Sequence, residues 1–127
     1  DQEHFPGVTA SRKLFSAAFA EGRRKRWRLN HTPLFLDFLE GKADFQCTPW
    51  GIPSYSVFGW QRPCYLMADG YTQTYPELIE TTDWSKYGRG NDPRCDNCMA
   101  HCGYEPTAVL AASKSLKQSV RALVAHR

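Results

Sequence analysis

The chain has 127 residues, enough for one ordinary domain, and 42% hydrophobic with 23% charged residues makes a packed core feasible. No run of about eighteen apolar residues exists, which excludes a stretch able to cross a bilayer as a helix. A net charge of +3 is too small to imply nucleic acid as a partner.

No secretory leader is visible, and an opening on Asp1-Gln2-Glu3 instead of Met reads as a fragment or a processed chain. Five cysteines without an export signal argue against a disulfide framework. Reduced thiols that bind a metal or a cluster are the better reading.

Residues 1–8 contain Pro6 and Gly7 and read as a connector. Thr9 is placed to cap a helix reaching about residue 21, with Leu14, Phe15, Ala18 and Phe19 on one face and Gly22 as its stop. The run Arg23-Arg24-Lys25-Arg26-Trp27-Arg28 follows. It reads either as a solvated basic loop or as a contact for anionic lipid headgroups, where each cation contributes about 1 kcal/mol and Trp27 suits the interface.

Thr32-Pro33 predicts a second helix start, with Leu34, Phe35, Phe38 and Leu39 buried and Gly41 ending it. Pro49, Gly51, Pro53, Gly59 and Pro63 then exclude helix. Tyr65-Leu66-Met67, Asp69-Gly70 and Tyr71-Thr72 read as a hairpin turning at Asp-Gly. Thr74-x-x-Glu77 is a capping box for a helix through about Trp84, apolar at Leu78 and Ile79. Residues 87–104 read as a glycine-rich loop, and Pro106 opens a last helix. That helix would bury Val109, Leu116, Val120 and Leu123 and expose Lys114, Lys117 and Arg121. The expected fold is a small α+β domain: two N-terminal helices, a short antiparallel hairpin, a cysteine-rich loop and a C-terminal helix.

The cysteines are Cys47, Cys64, Cys95, Cys98 and Cys102, the last three as Cys-x2-Cys-x3-Cys. A close pair on a loop lets two thiolates converge on one metal centre with little chain strain. Four thiolates from the two regions can close a site. Zinc is the rival to iron–sulfur, with His101 as a possible nitrogen ligand, and small buried thiols with no metal are the plain alternative.

Several tracts resemble the C-terminal region of the radical SAM enzymes of hopanoid biosynthesis, the HpnH family. They are 35–39 (FLDFL), Cys47-Thr48-Pro49-Trp50-Gly51, 57–66 (VFGWQRPCYL), Thr81-Thr82-Asp83-Trp84, and Cys95-x-x-Cys98-Met99-x-His101-Cys102-Gly103-Tyr104-Glu105. The opening Asp1-Gln2-Glu3-His4-Phe5 is similar to the stretch after that family's catalytic barrel. Cys47, Gly59, Cys64 and the Cys95/Cys98 pair also resemble the cysteine pattern of twitch and SPASM extensions.

The resemblance implies that residues 1–44 are a helical end of, or linker from, a radical SAM barrel, and that 45–127 form a cysteine-rich extension. It implies an auxiliary [4Fe–4S] cluster on Cys47, Cys64, Cys95 and Cys98, with Cys102 the alternative ligand. The reductive-cluster motif Cys-x3-Cys-x2-Cys is lacking. S-adenosylmethionine would therefore bind only in the barrel, and this chain alone would be inactive. The implied parent reaction adds a 5′-deoxyadenosyl group to a hopene. The implied partners are the barrel, a hopene-type lipid walled by rings such as Trp50, Phe58 and Trp60, and a membrane surface at Arg23–Arg28. Nucleic acid is not among them. The implied location is the bacterial cytoplasm, at or near a membrane.

Overall fold

The computed structural model describes residues 6–125. The stretch 1–5, which carries part of the resemblance, lies outside them. Among the described residues the fold is α+β, with five α-helices and one three-stranded antiparallel sheet. The helices are α1 (Val8–Arg24), α2 (Pro33–Leu39), α3 (Tyr75–Thr81), α4 (His101–Ser113) and α5 (Leu116–Ala125). The strands are β1 (Tyr55–Ser56), β2 (Gly59–Cys64) and β3 (Met67–Thr72), in the order β1-β2-β3.

α1 starts behind Gly7 rather than Thr9 and runs past Gly22. Arg26 ends it by adopting φ 56°, so that the Trp27 N–H reaches the Gly22 carbonyl at 2.9 Å and the Arg26 N–H reaches that of Arg23 at 3.3 Å. Those two bonds satisfy carbonyls that a helix end leaves unpaired. Gly22 instead makes room for Trp27, whose ring atom would stand 2.7 Å from a Cβ there. Arg26→Gly is expected to stabilise the fold by about 1 kcal/mol, because glycine has no Cβ to oppose a left-handed backbone. Urea denaturation of the two proteins measures it.

α2 matches expectation: the Thr32 hydroxyl caps the Phe35 N–H, and Pro33 occupies the first turn. It drives Phe35, Phe38 and Leu39 into the core, where Tyr104 and Ala108 of α4 meet them. Phe38 and Tyr104 stack with centroids 4.3 Å apart. Each such ring contributes about 1.5–3 kcal/mol when fully buried. Residues before and after position 44 thus share one core. Phe15 and Phe19 of α1 pack on its flank, whereas Leu14 and Ala18 stay exposed.

The hairpin differs in register from expectation. β2 turns at Tyr65-Leu66, with Cys64 opposite Met67, and Asp69-Gly70 lie within β3. The ladder shifts between Arg62 and Pro63, and this irregularity is where Gly70 takes a positive φ. Asp69 is drawn outward to Arg94, which it meets at 2.7 and 2.8 Å. The true turn is strapped by Gln61, whose side-chain N–H groups face the carbonyls of Cys64, Tyr65 and Met67. Gly59 permits the β2–β3 approach: a Cβ there would stand 2.4 Å from the Thr72 carbonyl oxygen.

α3 opens on Thr74 with Glu77 reaching back to the Gln73 N–H at 3.0 Å, and buries Leu78. It stops at Thr81, and Trp84–Lys86 form a separate short turn. α4 begins at His101, five residues before the proline expected to open it. Pro106 lies inside the helix, but the turn ahead of it is held from outside. The Gly103 carbonyl accepts from the Thr48 N–H at 2.8 Å and from the Thr48 hydroxyl at 3.1 Å. A break at Lys114 separates α5, which turns Leu116, Val120 and Leu123 outward rather than into the core.

Candidate functional site

Four parts of the fold deliver the five cysteines to one cavity. Cys47 arrives just before the turn Pro49–Gly51, Cys64 at the end of β2, Cys95 at the end of the short turn Pro93–Cys95, Cys98 on the loop after it, and Cys102 in the first turn of α4. The hairpin and the loop are tied together outside the cavity by Arg94, which also bonds Asp92 at 2.6 Å. Its guanidinium holds the carboxyls of Asp69 and Asp92 below their usual range. Arg89 fastens the loop to the helices by donating to the Cys98 carbonyl and to Asp44, both at 3.3 Å.

Cys47 is clamped on both sides. The Thr48 N–H bonds Gly103, and the Thr107 hydroxyl donates to the Gln46 carbonyl at 2.8 Å. Its sulfur then lies where a Gly103 Cβ would be, 2.2 Å away. The chain therefore needs glycine at 103 to admit the sulfur.

Burial pushes the Cys47 and Cys102 thiols up to about 12 each, with neighbouring cysteines adding to the effect. Burial also raises Cys64 and Cys95. Among the described residues no lysine, arginine or histidine lines the cavity. Thiolates here would need a cationic centre among them to offset their desolvation.

One backbone N–H meets a cysteine sulfur directly, that of Ala100 at 3.5 Å from Cys98. The backbone of Leu66 and Met67 at Cys64, of Gly88 at Cys95, and of Cys102 and Gly103 at Cys102 offsets part of the effect of burial there. Such donors stabilise negative sulfur and tune a bound cluster.

A single ion and a cubane cluster ask different things of the sulfurs. Among the described residues no group of three or more His, Cys, Asp or Glu is arranged to hold one metal ion. Zinc would draw four sulfurs to about 2.3 Å from one centre and so to about 3.8 Å from each other. A cubane gives each cysteine its own iron and accepts a wider spread. His101 is absent from the cavity wall; it is exposed at the start of α4, edge-on to His31 at 6.5 Å.

A larger apolar groove of about 500 Å³ runs between α1 and the cysteine loop, with Leu14, Phe15, Tyr65 and Met99 on its walls. It shares Leu66 and Cys98 with the cysteine cavity.

One protein family matches the chain over residues 1–122, that described as a domain of unknown function, DUF3463. The chain belongs to the DUF3463 family. No curated protein and no solved structure matches it.

In this DUF3463 domain the rings expected to wall a ligand lie elsewhere. Trp50 packs edge-on against Trp84, Trp60 sits between Tyr55 and Tyr75, and Phe58 leans on Tyr71. None of the three lines the groove or the cysteine cavity. Aromatic spacing on strands does not distinguish stacking within a sheet from facing a ligand.

Met67, Gly103 and Tyr104, which do line the cysteine cavity, were not marked by their sequence neighbours, apart from the Cys102-Gly103-Tyr104 adjacency. The Met67 sulfur stands 3.8 Å from that of Cys95. The Tyr104 hydroxyl is buried with no hydrogen-bond partner among the described residues, and the Arg89 guanidinium lies over the ring. Tyr104→Phe keeps the stack on Phe38 and removes an unpaired polar atom. It is expected to raise stability by about 1 kcal/mol in chemical denaturation.

Proposed function

We propose that this DUF3463 domain is the accessory domain of a radical SAM enzyme and holds an auxiliary [4Fe–4S] cluster. The observation that carries the reading is the convergence of five cysteines, as distant as Cys47 and Cys102, on one apolar cavity. Cys64, Cys95 and Cys98 are three of the ligands. Cys47 is the fourth, by its spacing in the chain, and Cys102, in the same cavity, is the alternative.

When bound, such a cluster supplies one-electron chemistry or an anchoring iron. The chain's own contribution is to bury the sulfurs, point amides at them and keep water out. Beside that site, the groove of Leu14, Phe15, Tyr65 and Met99 offers wall for an apolar substrate. The parent reaction in this reading is addition of a 5′-deoxyadenosyl radical to a hopene in a bacterial cell. The barrel is the partner that binds S-adenosylmethionine. Among the described residues no helix is long and apolar enough to cross a membrane. The proposed location is the cytoplasm, next to the lipid.

Anaerobic reconstitution with iron and sulfide tests the cofactor. About four irons and four sulfides per chain, with a brown chromophore bleached by reductant, are expected. A colourless protein with one zinc per chain, or one that stays metal-free, overturns it.

A further inference from the structure

Two stretches of the chain carry cations and no acids. Residues 22–36 hold Arg23, Arg24, Lys25, Arg26 and Arg28, and residues 106–127 hold Lys114, Lys117, Arg121 and Arg127. These are more than half of the 16 cations in a chain whose net charge is only +3. Charge is therefore segregated along the chain. The fold then brings the stretches together: Arg23 and Trp27 from the first and Arg121 from the second line one groove, where Glu40 and Asp37 pair with the two arginines.

Arg23, Arg24, Lys25 and Arg121 are paired with Glu40, Glu21 or Asp37. Arg26, Arg28, Lys114 and Lys117 are exposed, with no ion pair among the described residues. Trp27 stands half out of the fold between two of them.

α5 adds an apolar stripe to this basic ground. It packs on α2 and α4, with Gln118, Ser119 and Ala122 half-buried. Leu116 is 85% exposed and Leu123 72%, and Val120 and Val124 lie beside them on the same side. The helix thus turns its short polar side inward and its aliphatic side out. Lys114 and Lys117 border the stripe.

An aliphatic stripe edged by cations has the chemistry of a helix lying among phospholipid headgroups. Nucleic acid is held through its phosphates by cations, and an exposed aliphatic stripe such as that of α5 adds nothing to such a contact. A second copy docked on the same face would set Lys114 and Lys117 near their own counterparts with no acid between. We propose that α5 and the Arg23–Arg28 turn together form a docking face for an anionic phospholipid bilayer.

The test is co-sedimentation of the protein with vesicles of phosphatidylcholine alone or with about a third phosphatidylglycerol. Binding at least about tenfold tighter to the anionic vesicles is expected, weakened by about 0.5 M salt. Leu116→Ser with Leu123→Ser should abolish it, and so should Arg26→Glu with Arg28→Glu. Circular dichroism checks that both variants stay folded. Equal partition to both vesicles, no partition at all, or binding that survives both double variants overturns the proposal. So does a dimer lost in the leucine variant without vesicle binding, which would assign the stripe to a second copy. Retention on an oligonucleotide by protein that ignores vesicles would assign the cations to nucleic acid.

Discussion

Gly103→Ala is expected to destabilise the domain by about 3 kcal/mol and to prevent cluster incorporation. A methyl group there would stand 2.2 Å from the Cys47 sulfur, inside any tolerable contact. The sulfur has no easy retreat, because the backbone on both sides of Cys47 is bonded to α4 through Thr48 and Thr107. α4 is equally committed, since Tyr104 is stacked on Phe38 in the core. Overpacking of such a site costs about 1–3 kcal/mol and at times more. Gly90→Ala is the control: it has a positive φ but nothing within 4 Å, so only backbone strain of about 1 kcal/mol applies. Urea denaturation and iron content would be measured on both. A Gly103 variant as stable as the parent would mean that the sulfur moves freely, and the clamp would have no consequence.

The second large effect separates the cysteines. Serine at Cys47, Cys64, Cys95 or Cys98 should each reduce bound iron to a small fraction of that in the parent. Serine at Cys102 should leave most of it. The expectation follows from the spacing of the cysteines in the chain and from the clamp that holds the Cys47 sulfur in the shared cavity, against Gly103. Iron analysis with electron paramagnetic resonance of the reduced protein distinguishes a lost cluster from an altered one. If serine at Cys102 strips the iron and serine at Cys47 does not, the fourth ligand is Cys102.

The parts of this fold that sequence reveals are those fixed by neighbouring residues. Thr32-Pro33 and Thr74 with Glu77 marked two helix starts correctly, because a cap acts within three residues of itself. Asp69-Gly70 misled for the opposite reason. The pair has the chemistry of a turn, but Asp69 is held by Arg94, 25 residues away, and the turn falls where Gln61 straps it. Pro106 misled similarly, since Thr48 and Thr107 hold a helical turn ahead of a residue that usually starts one. In α5 the apolar spacing is real, but periodicity reports a face and not its direction.

The same division holds at the site. Which residue types gather was readable from Cys-x2-Cys-x3-Cys and the two earlier cysteines. That all five share a cavity needed the register of β2 and β3 and the early start of α4. His101 shows the limit of adjacency: one residue from Cys102, it faces solvent because a helix turns consecutive side chains about 100° apart.

The bend that joins β2 to β3 has a consequence for how two chambers communicate. Leu66 is at once a wall of the apolar groove and a wall of the sulfur cavity. Its neighbours on the bend are Cys64 and Tyr65, so one short piece of backbone serves as a bulkhead between a greasy compartment and a thiol-lined one. A molecule seated in the first would rest against two residues, Leu66 and Cys98, that also wall the second.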